Sequence, residues 1–166
     1  MTSTKTLTML ALAALAWNTH AACPSWPSAQ RFELHDEQVI DLRSGLVWQR
    51  CSAGQTWDGL TCSGTAATYS HADALGLARQ ANPSNNPAGW RLPNVKELAS
   101  LLDLGCDQPT LDASAFPATP AAETWSSSPF VRRANVAWTV DFSSGYVSNL
   151  TGIGNPLHVR LVRSAR

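Results

Sequence analysis

At 166 residues the chain has the length of one domain, enough to bury a proper core. Formal net charge is zero and charged residues make up only 14%, which excludes the basic footprint of a nucleic-acid or anionic-membrane binder. Seven tryptophans are many for this length, and besides filling a core they leave room for an aromatic binding surface.

Residues 1–22 read as a signal peptide. Lys5 supplies the positive start, Leu7 to Trp17 the short apolar stretch, and Thr19, Ala21 and Ala22 the small residues before cleavage. The stretch is too short to span a bilayer, so no transmembrane segment is expected and the protein is read as secreted, periplasmic or surface-bound. Cys23 follows directly, as in a lipoprotein, but His20 stands where such signals want an aliphatic residue; lipidation is not expected. Residues 23–30, with two Pro and two Ser, form an extended leader to a domain over 31–166.

Within that domain, Arg31–His35 alternates as a strand, Val39–Leu42 reads as a second, and Arg43-Ser44-Gly45 turns into a third over Leu46–Arg50. Cys51 and Cys62 bracket a ten-residue loop with two Gly. Four cysteines in an exported chain predict two disulfides, and local closure is the cheapest in entropy, so Cys51 pairs with Cys62 and Cys23 with Cys106. With no Cys-x-x-Cys and no clustered His, no zinc or other metal is implied. Ser70 caps a helix running to Gln80 with Ala74, Leu75 and Ala78 on one side, and Asn82–Pro87 is the polar loop that stops it.

The stretch Gly89-Trp90-Arg91-Leu92-Pro93-Asn94-Val95-Lys96-Glu97-Leu98 organises the middle of the chain. Pro93 bars a helix before it, Asn94 is the N-cap, and Glu97 completes an approximate capping box. Val95, Leu98, Leu101 and Leu102 give the apolar stripe of a helix ending near Asp103–Gly105. Arg91, fixed just outside, pairs with Glu97 or with carbonyls of a neighbouring strand; both are scaffold residues.

Residues 107–124 form a long irregular loop anchored by Leu111, Phe116 and Pro117. Strands follow over Trp125–Ser128, Val136–Phe142 and Tyr146–Ser148, with a basic hairpin connection carrying Arg132 and Arg133, and His158–Arg163 closes the domain. Early strands, two helices and late strands make an α+β fold. The predicted core is Trp48, Trp90, Leu92, Leu98, Leu101, Trp125, Trp138, Val140, Phe142, Val159 and Leu161.

Ser44-Gly45-Leu46-Val47-Trp48-Gln49-Arg50, Gly89-Trp90-Arg91-Leu92-Pro93 with Lys96-Glu97-Leu98, Trp125-Ser126-Ser127-Ser128-Pro129, Ala137 to Gly145 and Val159-Arg160-Leu161-Val162-Arg163 together resemble the DUF1566, or Lcl C-terminal domain, family, named after the end of a collagen-like bacterial adhesin. The resemblance covers residues 31 to 164. It implies a C-type-lectin-like, disulfide-stabilised fold in which two helices flank antiparallel hairpins and the terminal strands pair. Formylglycine-generating-enzyme-like domains are more distantly similar.

The resemblance implies an exported binding or adhesion module. Its partner would be an extracellular glycan or protein, with sulfated polysaccharide held by the long loop and Arg132-Arg133, to which Trp57 adds an aromatic contact. A structural subunit of a cell-surface apparatus is the second reading; an exposed Trp57 or Tyr69 favours binding, full burial of the aromatics favours scaffold. An oxidase of the formylglycine-generating kind is the third, but its C-terminal cysteine pair is missing, since Cys106 is the last cysteine. His35, His71 and His158 are scattered, so no catalysis is expected. Gln108-Pro109 runs on to Thr110, which departs from lectin calcium loops, and no cofactor is implied.

Overall fold

The computed structural model describes residues 26–165. Residues 1–22 and Cys23 lie outside that range, and with them the signal-peptide reading and one half of the Cys23–Cys106 pair. Cys106 itself is disulfide-bonded. The Cys51–Cys62 bridge is present, with its Cα atoms 5.4 Å apart.

Two antiparallel sheets and a short ribbon carry the fold. Strands β1 (Phe32–His35), β2 (Gln38–Asp41) and β3 (Leu46–Gln49) form a meander to which β9 (Val162–Ser164) adds along β3. The first and last strands therefore do not pair with each other; β1 and β9 take opposite edges, because β2 and β3 fill the space between. Strands β6 (Glu123–Pro129), β7 (Val136–Asp141) and β8 (Tyr146–Gly152) make the second sheet. The disulfide loop is itself a ribbon, β4 (Thr56–Trp57) with β5 (Cys62–Ser63). It turns where Asp58 Oδ1 accepts from the Leu60 and Thr61 amides at 2.9 and 2.8 Å.

Helix α2 (His71–Gln80) starts at Ser70, whose side chain accepts from the Asp73 amide, and buries Ala74 and Ala78. Helix α3 (Val95–Ala99) has the expected capping box but stops sooner than the apolar stripe suggests. Past Ala99 the amides of Leu101 and Leu102 bond three residues back, at 3.1 Å each, and the Asp103 amide turns to the Thr110 carbonyl at 2.9 Å. The stripe stays useful without a helix, since Leu101 is still buried.

The leader is not wholly extended. Ser28–Arg31 winds one turn, α1, because Arg31 is buried and committed: it donates to Asp41 Oδ2 at 3.1 Å and to the Ser100 carbonyl at 2.6 Å. The closing strand is shorter than predicted because Leu157, His158, Val159 and Leu161 each bond a different backbone: Tyr69, Trp125, Ala53 and Gln49 in turn.

Two apolar clusters form the core. Trp48, Leu98, Leu101, Phe116, Val140 and Phe142 fill one; Ala74, Leu92, Trp125, Val159 and Leu161 belong to the other. Trp90 and Trp138 are exceptions among the predicted core residues, being only half-buried. Each lies on an outer face, where a neighbour covers one side: Arg163 sits 5.3 Å from the Trp90 ring centre, and Phe130 packs edge-on to Trp138 at 5.8 Å. Trp90→Ala therefore falls below the about 3–5 kcal/mol that a fully buried indole would cost.

The long loop is a packed buttress rather than a free flap. Leu111, Ala115 and Phe116 lie in the core, and its carbonyls at Ser114, Ala115 and Ala118 accept from Arg50 and Gln55 at 3.1–3.2 Å.

Candidate functional site

Arg91 and Glu97 meet as two parallel bonds of 2.7 Å, a bidentate pair that fixes both side chains. Glu97 Oε2 also accepts from the Asn94 amide at 2.8 Å, while Asn94 Oδ1 accepts from the Glu97 amide at 2.9 Å. Backbone bonds of 2.9 Å in both directions join Arg91 to Val162, so the knot ties the start of α3 to β9. Burial pushes the Glu97 carboxyl up, but the Arg91 guanidinium and the Asn94 amide outweigh it, and the net shift is downward. Both Glu97 oxygens and both terminal nitrogens of Arg91 are taken up within the scaffold, which is the role expected of the pair.

Arginine usage separates the rest of the molecule. Arg31, Arg43, Arg50, Arg91, Arg160 and Arg163 are each engaged by a carboxylate, a carbonyl, an amide or an aromatic ring. Arg160 is the extreme case: fully buried with no carboxylate beside it. It donates to the Gln49 and Arg50 carbonyls and, at 3.1 and 2.7 Å, to Ser52 and Thr119 hydroxyls, with its guanidinium 4.9 Å from the Phe116 ring centre. Burial pulls its pKa down to about 9, which leaves it charged at neutral pH.

Arg132 and Arg133 are the contrast. Both are exposed at the β6–β7 tip, and neither guanidinium has a partner among the described residues. The tip's backbone is nonetheless held: the Phe130 amide bonds the Val136 carbonyl at 3.0 Å, the Arg133 amide the Phe130 carbonyl at 3.0 Å, and the Ile153 amide the Asn135 carbonyl at 3.1 Å. Neither Pro129–Val136 nor Leu150–Asn155 contains an acidic residue. Two adjacent cations thus stand on a fixed turn with no anion on either flanking segment.

Trp57 belongs to a different surface. A cleft of about 380 Å³ lies between its ribbon, the β2–β3 end and α2, walled by Trp57, Tyr69 and Trp90 with Glu37, Gln38 and Gln49 as polar lining. A broader depression of about 900 Å³ shares Trp57, Glu37 and Gln38 and adds Leu34, Ile40 and Arg163. Gly54 lines the cleft with φ at +91°, and a Cβ there would lie 2.6 Å from the Ala67 amide nitrogen, so only glycine fits. Arg132 and Arg133 line neither cavity. The predicted ligand residues therefore fall on two surfaces rather than one.

Sequence reasoning placed Trp90 in the core and did not single out Glu37, Gln38 or Gln49. A usable signal existed: Gln38 and Gln49 are cross-strand partners at the open end of β2 and β3. The imidazoles are not brought together. His35 bonds Glu33 at 3.0 Å, His71 the Ser126 carbonyl at 3.0 Å, and His158 the Ala67 carbonyl at 3.2 Å. Among the described residues no helix is long and apolar enough to cross a membrane.

Mixed helix and antiparallel sheet, a disulfide-closed ribbon and the Arg91–Glu97 knot define a small α+β domain. Its sequence matches the family model of the Lcl C-terminal domain over residues 37–163, and the chain belongs to that family. No curated protein matches the chain.

Proposed function

We propose that the protein is an exported, non-enzymatic binding module that holds an anionic surface polysaccharide, of the sulfated kind, at the β6–β7 tip. The observation that carries this reading is the exposed Arg132-Arg133 pair, without partners among the described residues, on a turn whose backbone is held by hydrogen bonds at Phe130, Arg133, Asn135 and Val136. Guanidiniums present a planar fork that matches sulfate oxygens, and adjacent ones gain from a ligand with repeated charge. The signal-like residues 1–22 and the Cys51–Cys62 bridge support export to an oxidising compartment. A C-type-lectin-like topology is the finer fold reading we attach to this architecture.

The test is a glycan array that includes sulfated polysaccharides, run with and without calcium at two salt concentrations. Calcium-independent, salt-sensitive binding lost in the Arg132→Ala/Arg133→Ala variant supports the proposal; no binding under any condition rejects it. A structural-subunit role is the second reading, favoured by the edge strand β8, where Tyr146 and Leu150 are 74% and 75% exposed. Oligomerisation that rises with protein concentration would mark that alternative.

A further inference from the structure

We infer that the Trp57 groove is a second ligand site, separate from the tip, and that it takes an uncharged saccharide. The lining decides the charge. Two guanidiniums reach this region, but Arg50 is spent on the Trp57 ring, 4.0 Å from its centre, and on three carbonyls, while Arg163 is spent on Trp90 and on Gln38 Oε1 at 2.9 Å. Among the described residues no free cation lines the cleft for a sulfate or carboxylate, and Glu37, whose carboxylate has no partner there, would repel one. A cationic ligand is disfavoured as well. The indoles that would attract it already carry a guanidinium each, so a second positive charge would sit beside the first.

What is left open suits a polyol with an apolar face. The indole N–H groups of Trp57 and Trp90, the Tyr69 hydroxyl and the Gln49 side-chain carboxamide have no partners among the described residues, and all four side chains line the cleft. A pyranose ring offers a C–H face for stacking on an aromatic surface and a rim of hydroxyls that both donate and accept. The same Trp57, Glu37 and Gln38 border both cavities, so the groove has length for more than one sugar unit. Its shape is fixed from behind by Arg160 and by the disulfide, which limits the ordering a ligand must impose.

Tryptophan emission of the purified protein, titrated in turn with cellotetraose, chitotetraose, maltotetraose and mannotetraose, tests this. At least one should give a saturable change whose midpoint does not move between about 0.05 and about 0.5 M salt. Trp57→Ala should weaken that binding about tenfold or more, the scale of one lost stacking contact, and Gln49→Ala severalfold. Arg132→Ala/Arg133→Ala should leave it unchanged. If Trp57→Ala fails to fold, Gln49→Ala, which is on the rim of a strand, decides the location. The inference is overturned if no tetraose gives a saturable change, if the foldable groove variants bind like wild type, or if binding is salt-sensitive and lost with the tip arginines.

Discussion

The β6–β7 tip and the Trp57 groove stand on one scaffold and treat charge in opposite ways. At the tip, Arg132 and Arg133 are exposed and uncommitted. In the groove, Arg50 and Arg163 are bonded to carbonyls and an amide and stacked on indoles. The tip offers charge and lines neither cavity around Trp57; the groove offers concavity, and the two guanidiniums beside it are already engaged. A count of arginines does not distinguish the two, whereas the partners of each guanidinium do. One region is suited to a polyanion, the other to a neutral ring.

The sharpest way to break this comparison is through the groove's floor. Arg160→Met should cost about 3–5 kcal/mol in denaturant melts, because it takes the guanidinium donors from the Gln49 and Arg50 carbonyls and the Ser52 hydroxyl and one of the two partners from the Thr119 hydroxyl. A loss under about 1 kcal/mol would mean those groups find other partners. Cys51→Ser with Cys62→Ser should cost about 2–3 kcal/mol, since the bridge closes a short loop of separation 11. It should also release the Trp57 ribbon, weakening any groove ligand while leaving salt-sensitive binding at the tip intact. Equal losses at both would show that the two surfaces are not independent.

Glu97→Ala should cost about 1–3 kcal/mol by removing the bidentate partner of Arg91 and half of the capping box. Its pH signature follows from the downward shift of the Glu97 carboxyl. A carboxylate held below its unfolded value of 4.5 contributes stability that is complete above that pH and fades as pH falls through the lower folded value. The wild type should therefore lose stability on acidification below about pH 4.5, and Glu97→Gln should flatten part of that slope. The smallest stability effect belongs to Arg132→Ala/Arg133→Ala, within about 0.5 kcal/mol, because both side chains are exposed and neither has a hydrogen-bond or ionic partner among the described residues. Near-wild-type melting combined with lost polyanion binding would sharpen the contrast most.

Local chemistry was legible in the sequence. Asn94 and Glu97 announce the capping box, Ser70 the start of α2, and the spacing of Cys51 and Cys62 a local bridge, because each depends on neighbours within a dozen residues. The extent of α3 was not, since the contact that ends the helical path is a hydrogen bond from Asp103 to Thr110 across a loop. Trp90 reads as core from its apolar neighbours, yet its exposure depends on which face of the sheet edge it occupies. The groove is harder still. Trp57, Tyr69, Trp90, Gln38 and Gln49 come from four separate segments and meet only once the ribbon, α2 and the β2–β3 end are assembled. The adjacent Arg132-Arg133 pair was visible at once, but its freedom from partners is a property of the folded chain.

The most direct test of the proposed function is the salt dependence of binding to immobilised heparin, used as a sulfated probe, for wild type and for Arg132→Ala/Arg133→Ala. The account predicts retention by the wild type that falls steeply with salt, and a double variant that melts like wild type but elutes near the void. Retention unchanged by the double substitution would contradict the assignment of the tip, and a wild type that never binds would contradict the polyanion reading itself.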